Sequence, residues 1–206
     1  AEMLPNHSQT LTFAESYDLI HWRRTPELEK LYFPIHPELG YRSSYGRWDG
    51  IYSVPAKRPG ERDGYPRLGY WTATCVHPVS KKTTGSFAMG VTHDGVHWTA
   101  FPPPKMEPGP IGAELGAVEW VPYTSGKPGG RWVALLGSGW PRTNLVYSSA
   151  SAYGPFRRAS ANLHVLNGSC YFLRFFRGVA NELLVTHQSW DRTRPQNRRV
   201  YIAPFK

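Results

Sequence analysis

Short apolar stretches recur along the chain, each bounded by Gly, Pro, Asn, Asp or Ser. Runs of about four to eight residues rich in Val, Ile, Tyr, Phe and Trp are typical of β-strands. The strand candidates lie at 49–54, 68–76, 116–121, 131–136, 169–176, 182–188 and 199–203, with a Gly/Pro-rich turn at 125–130. Pro26 to Tyr32 reads as a helix of about two turns. The pattern predicts an all-β protein of antiparallel hairpins.

The chain also contains an internal repeat. An extended segment followed by Asp-x-x-His-Trp ends at Trp22 and again at Trp98, and a degenerate third copy ends at Phe156 in Gly-Pro-Phe. Asp18 and Asp94 can accept hydrogen bonds from backbone amides two residues on, which closes a tight turn. The aromatic residue that follows can cover a sheet. We therefore expect these motifs to be structural.

Groups of about four strands that recur with one turn are typical of a β-propeller. The expected groups are the end of one blade at 1–22 and further blades at 45–98, 112–158 and 163–206, all within one domain. Fewer blades than the usual four to eight would leave the ring open, with unpaired strand edges. We therefore expect the chain to supply part of a propeller that a missing segment or a second chain completes.

Charge and composition exclude several classes of protein. The net charge is +9, but the Lys and Arg residues form separated doublets rather than a basic helix, so we expect no nucleic-acid partner. No apolar run approaches the roughly 18 residues of a membrane span. The hydrophobic content of 40% is too high for a disordered chain. The cellular location stays open, with a lean toward secretion.

The cysteines and histidines predict neither a metal site nor a cofactor. Cys75 and Cys170 lack metal-ligand spacing, and one disulfide or two thiols are both open. The eight histidines include no His-x-x-x-His or similar pair. Among them, His187 stands near a strand end from which it could reach a ligand.

Five short motifs together resemble a known superfamily. They are the two Asp-x-x-His-Trp endings, Arg47-Trp-Asp-Gly50, Glu114-Leu-Gly-Ala-Val-Glu119 and Ser151-Ala-Tyr-Gly-Pro-Phe156. With them the sequence resembles the five-bladed β-propeller glycoside hydrolases of the family 32, 43 and 68 superfamily, and it looks closest to family 32. The resemblance implies a five-bladed propeller of which this chain supplies about three blades and the end of another.

The resemblance also implies a site. In that superfamily three carboxylates at the starts of inner strands line the central funnel. The resemblance places the transition-state-stabilising carboxylate at Asp49 and the general acid at Glu114, whereas the first carboxylate has no counterpart here. Glu119 is a rival for the acid. Its spacing of five from Glu114 puts it on the opposite strand face unless a bulge intervenes.

The chemistry of glycoside cleavage explains why such residues are needed. The reaction passes through an oxocarbenium-like state, so one carboxyl group must donate a proton while another stays ionised. Arg47 is two residues before Asp49 on the same strand face, where it could keep Asp49 charged. Candidate platforms for a sugar are the indoles of Trp48, Trp71, Trp120 and Trp140.

These features predict a glycoside hydrolase or transglycosidase that acts on an oligosaccharide or polysaccharide with fructoside- or pentoside-type bonds. The main alternative is a non-catalytic carbohydrate-binding propeller that lacks the first-blade carboxylate. A third alternative is an interaction propeller whose basic surface binds polyanions, which predicts salt-sensitive binding.

Overall fold

The structure is a computed structural model. It describes residues 2–3, 9–30, 32–56, 66–76, 83–109, 113–124, 127–138, 144–159, 170–189 and 200–204. The predicted all-β fold is confirmed, because strands dominate these segments and helix is confined to α1 (Pro26–Lys30) and a 3-10 turn (Pro37–Leu39). Within these ranges no helix has the length and apolar character needed to cross a membrane.

The strands form four sheets that follow one another along the chain. Sheet I consists of β1 (Glu2–Met3), β2 (Gln9–Thr12) and β3 (Tyr32–Phe33). Sheet II consists of β4 (Trp48–Pro55), β5 (Arg67–Val76), β6 (Thr83–Thr92) and β7 (Thr99–Phe101). Sheet III consists of β8 (Met106–Glu107), β9 (Ala113–Thr124), β10 (Lys127–Ser138), β11 (Asn144–Ser149) and β12 (Phe156–Arg158), in the order β8-β12-β11-β10-β9. Sheet IV consists of β13 (Cys170–Arg177), β14 (Leu183–Ser189) and β15 (Val200–Pro204). The paired strands are antiparallel, except that β12 and β8 run parallel.

Two expected boundaries differ from the structure. The helix ends at Lys30, and Tyr32 already belongs to β3. The expected turn at 125–130 is shorter, because β10 begins at Lys127 and contains the glycine pair. A Cβ atom on Gly130 would lie 2.5 Å from the Trp120 ring, so this glycine makes room for an indole. A register shift in this part of the β9–β10 pair absorbs the irregularity.

Consecutive sheets pack face to face, and a separate hydrophobic core fills each of the three interfaces. Sheets I and II enclose a cluster centred on Phe33, Trp48 and Trp71, whose rings meet edge to face. Sheets II and III enclose a second cluster that includes Phe87 and Phe156. Sheets III and IV enclose a third, which includes Leu135, Leu173 and Phe175.

The repeated turn has the structural role that the sequence predicts. Oδ1 of Asp18 accepts the backbone N–H groups of Ile20 and His21 at 2.9 and 2.7 Å. Oδ1 of Asp94 accepts the two equivalent N–H groups at 2.9 and 2.8 Å. In each turn the imidazole three residues after the aspartate is hydrogen-bonded to the second carboxylate oxygen. These side-chain and backbone hydrogen bonds lower the pKa values of Asp18 and Asp94.

The edge strands β4 of sheet II, β9 of sheet III and β13 of sheet IV come together, and we call these three the first strands of their sheets. Each contains an irregularity near its beginning. The register of β4 shifts between Asp49 and Tyr52, that of β9 at Gly116, and that of β13 between Tyr171 and Arg174. Gly116 allows a close approach, because a Cβ atom there would lie 2.5 Å from the carbonyl oxygen of Leu173 in β13. Strands β4 and β9 also contact each other. Their beginnings lie side by side, and the candidate site is found there.

Candidate active site

The structure brings Arg47, Asp49 and Glu114 together. Asp49 lies in β4 and Glu114 in β9, each at the beginning of its strand. Nη2 of Arg47 lies 2.9 Å from Oδ2 of Asp49 and 3.0 Å from Oε1 of Glu114, and Nε donates to Oδ2 of Asp49 at 3.0 Å. The contact expected between Arg47 and Asp49 is thus present. The three side chains form what we call the acid–arginine cluster.

The acid–arginine cluster is partly open to solvent. The Arg47 side chain is 43% exposed, whereas the side chains of Asp49 and Glu114 are 13% and 15% exposed. Burial opposes the charge on the guanidinium, but the two carboxylates outweigh burial and raise the pKa of Arg47. The two acids are therefore more buried than Arg47, whose side chain can move away from them into solvent.

The geometry also limits the separation of the two acids. One oxygen of Asp49 and one oxygen of Glu114 approach the same Nη2 atom, so these oxygens lie no more than about 6 Å apart. Paired carboxyl groups in glycosidases are about 5–5.5 Å apart in retaining enzymes and about 6.5–9.5 Å apart in inverting enzymes. The limit of about 6 Å for these two oxygens lies below the second range.

Contacts between sheets hold the backbone beside each acid. The Leu115 N–H group donates to Oγ1 of Thr72 at 3.1 Å, and Thr72 is buried directly opposite Asp49 in the β4–β5 pair. The Arg174 guanidinium donates to the carbonyl oxygens of Gly50 and Leu115, both at 3.4 Å. Sequence patterns could not reveal Thr72 or Arg174, since both act across sheets. A glycine directly after Asp49 was the one local sign of a bulge, and its φ is +66°.

Glu119 lies in a different environment from Glu114. The bulge at Gly116 inserts one residue, which is the condition under which a spacing of five returns both side chains to one face. The Glu119 carboxylate accepts the Tyr52 hydroxyl at 3.1 Å and the Trp120 N–H group at 3.0 Å. Burial raises the pKa of Glu119 despite these hydrogen bonds. These contacts belong to the packed interface of sheets II, III and IV.

The expectation that Trp48 and Trp71 bind sugar is wrong. Both side chains are completely buried in the core between sheets I and II, with their rings 5.2 Å apart and edge to face. Neither indole presents a face to a ligand, because aromatic neighbours such as Phe33 cover them. Trp120 is partly buried and packs against Trp132 at 5.8 Å. Trp140 lies outside the described residues.

His187 makes the contacts of a cross-strand pair in sheet IV. It lies opposite Tyr201 of β15, and the two rings stack with their centroids 5.2 Å apart. Burial lowers the pKa of His187, which favours the neutral imidazole. Packing in sheet IV is the role that these contacts support, and a role in ligand binding stays a prediction.

Over the described ranges, no three His, Cys, Asp or Glu side chains are grouped so that they could hold a metal ion. The acids at the site are instead paired with a guanidinium. Comparison of the chain with known proteins finds no matching family model, no matching curated protein and no matching solved structure.

Proposed function

We propose that the protein is a glycoside hydrolase or transglycosidase that cleaves fructoside- or pentoside-type bonds in an oligosaccharide or polysaccharide. The observation that carries the proposal is the acid–arginine cluster. It joins two partly buried carboxylates from the first strands of neighbouring sheets to one solvent-exposed arginine. A pair of carboxyl groups on either side of a bond is what glycoside cleavage requires.

A five-bladed propeller is the architecture that we propose for this activity. Face-to-face packing of consecutive sheets and the gathering of their first strands support it. The completing polypeptide would be a missing segment or a second chain. The exposure of Trp22, which is 60%, supports further polypeptide beside sheet I, since its counterpart Trp98 packs against aromatic rings.

In the proposed reaction, Glu114 donates a proton to the glycosidic oxygen and Asp49 stays ionised beside the oxocarbenium-like carbon. Nη2 of Arg47 contacts Oε1 of Glu114 at 3.0 Å, whereas a proton donor must face the glycosidic oxygen. Arg47 must therefore release Glu114 when a saccharide enters, and its solvent exposure leaves room for that movement. The retained contact with Asp49 would keep the guanidinium beside that carboxylate.

The short separation of the acids supports retention of anomeric configuration. For this separation to set the configuration, Asp49 must itself attack the anomeric carbon, which differs from the transition-state-stabilising role that the resemblance implies for it. Proton NMR of the first product formed, or transfer of the glycosyl group to methanol, would report the configuration. A product of inverted configuration would contradict the proposed use of this pair.

The experiment that tests the function compares Glu114→Gln with wild type on a panel of fructofuranosides, arabinofuranosides and xylosides. We expect kcat/KM to fall by about 10²–10⁴-fold, since the general acid is removed. The matched control is Glu107→Gln. Glu107 also pairs with an arginine, Arg157, but lies in β8 at the opposite edge of sheet III.

The outcomes separate the competing functions. If the wild-type protein turns over a substrate and Glu114→Gln keeps full activity on it, the assignment of the general acid is rejected. Calorimetric binding of glycans by a wild type without turnover would favour the binding-only propeller. Salt-sensitive binding to polyanions, with neither turnover nor glycan binding, would favour the interaction propeller.

A further inference from the structure

Arg174 reaches from sheet IV into the gap between the strands that carry the two acids. It is half-buried and directly follows the irregularity in β13. A bulge bends its strand and changes the direction of nearby side chains. The close approach at Gly116 brings β13 near β9, so the Arg174 side chain can extend beyond its own sheet.

The guanidinium contacts the backbone directly after each acid. Nη2 donates to the carbonyl oxygen of Gly50, which follows Asp49, at 3.4 Å. Nη1 donates to the carbonyl oxygen of Leu115, which follows Glu114, at 3.4 Å, and to that of Leu173 in its own strand at 3.3 Å. One rigid planar group therefore touches all three first strands.

The residues around these contacts leave little freedom to the backbone. The N–H group of Leu115 is held by Thr72 while its carbonyl oxygen is held by Arg174. At Gly50 the φ of +66° favours glycine, and a Cβ atom there would lie in contact with Nη2 of Arg174 at 3.4 Å. The two peptide segments that carry the acids are thereby tied to one side chain of sheet IV.

We propose that Arg174 is a positioning residue that sets the separation of Asp49 and Glu114 by holding the carbonyl groups next to them. The inference rests on the proposed function, because the separation of the acids matters for the reaction assigned to them. A misplacement of about 1 Å in an active site can cost about 100-fold in rate. Arg47 also links the two acids, but it must move during the proposed reaction.

The test uses Arg174→Met, which keeps the length of the side chain and removes its donors, and Arg174→Lys, which keeps the charge and loses the planar fork. The matched control is Arg177→Met. Arg177 lies in the same strand, is exposed, and also donates to carbonyl oxygens, those of Asn181 and Trp120. Thermal melts establish that each variant is folded, and Arg174→Lys carries the comparison if Arg174→Met does not fold.

We expect kcat of Arg174→Met to fall by about 10- to 100-fold with KM changed less than about threefold, since alignment rather than binding is lost. Arg177→Met should keep the kcat of wild type. A crystal structure of Arg174→Met should show that Arg47 no longer bridges the two carboxylates.

Unchanged kcat, or a bridge that persists in the Arg174→Met structure, would overturn the positioning role. A wild type without turnover, combined with a bridge lost in the Arg174→Met structure, would overturn the proposed function and leave the positioning role in place.

Discussion

Single hydroxyl groups and carboxylates form the contacts between the first strands β4, β9 and β13. The Tyr52 hydroxyl lies 3.1 Å from Oε2 of Glu119 and 3.1 Å from the carbonyl oxygen of Phe175. A phenol has one proton and can donate to only one of these acceptors at a time. A protonated Glu119 removes the conflict, because it donates to Tyr52 and leaves the phenolic proton for Phe175. Burial raises the pKa of Glu119 and so favours this neutral form, although the hydrogen bond from Tyr52 to the carboxylate acts in the opposite direction.

This junction predicts a pH dependence of stability. The pKa of Glu119 is higher in the folded than in the unfolded chain, so its favourable contribution is complete below the ordinary glutamate value. The contribution is lost as the pH rises through the raised pKa. Glu119→Gln stays neutral and can donate to Tyr52, so it should escape this loss.

The measurement is the Tm of Glu119→Gln relative to wild type between pH 4 and pH 7. We expect the difference to shift by about 2–4 °C in favour of the variant as the pH rises. Tyr52→Phe, which removes the shared proton, serves as the control, since it should lower Tm at every pH. A difference between Glu119→Gln and wild type that is constant with pH would contradict the explanation.

At the scale of turns and strands, the same Asp-x-x-His-Trp motif forms two turns that differ in how they pack against the rest of the molecule. Both Asp-x-x-His-Trp turns close with the same hydrogen bonds, and each indole donates to a backbone carbonyl three residues earlier. Trp98 lies over Gly69 of β5, where a Cβ atom would be only 2.2 Å from its ring. Trp22 is 60% exposed. The local hydrogen bonds therefore form the turn in both places, while packing stabilises only the second.

This contrast predicts different costs for the same substitution. Trp98→Ala should lower the free energy of unfolding by about 1.5–3 kcal/mol, since it exposes the apolar surface under the indole. Trp22→Ala should change it by no more than about 0.5 kcal/mol, as is usual for surface positions. Urea denaturation of both variants checks the prediction. Equal losses would show that sheet I covers Trp22 as sheet II covers Trp98.

Packing between sheets determines how the whole molecule holds together. The three hydrophobic cores lie between consecutive sheets, and Gly116 of sheet III lies close to the backbone of sheet IV, where a Cβ atom would be 2.5 Å from the carbonyl oxygen of Leu173. Gly116→Ala should push β13 away from β9 and lower the free energy of unfolding by about 1–3 kcal/mol. Gly137→Ala is the control, because the nearest atom to its Cβ would be 3.9 Å away.

Chemical denaturation and activity assays together check the effect of Gly116→Ala. We expect the variant to lose activity as well as stability, since the approach of β13 also brings Arg174 to the site. Gly116→Ala and Gly137→Ala of equal stability would argue against a close contact between sheets III and IV.

The sequence could predict those features of the fold and the site that depend on residues close together in the chain. Strand positions and the Asp18 and Asp94 turns could be recognised because their hydrogen bonds lie within about four residues. The contact between Arg47 and Asp49 also follows from a spacing of two in a strand. The meeting of Asp49 with Glu114 was expected from resemblance alone, since nothing local connects strands so far apart.

The sequence could not predict what depends on the packing of sheets. Trp48 and Trp71 carry the same side chain as an exposed sugar platform, and only the position of sheet I shows that they are core residues. Gly130 looked like a turn residue because its neighbour Trp120, on the opposite strand, was not visible as a packing partner. Arg174 and Thr72 reach across sheets and have no signature in the chain.

The dependence of the two acids on Arg174 has a consequence for heating. Sheet IV contributes no carboxylate to the acid–arginine cluster, yet its guanidinium holds the backbone on which both carboxylates are mounted. Partial detachment of this outer sheet would disorganise the cluster while the cores of the other sheets stayed intact. Thermal inactivation would then precede global melting, and amides of β13 would exchange with deuterium before those of β5.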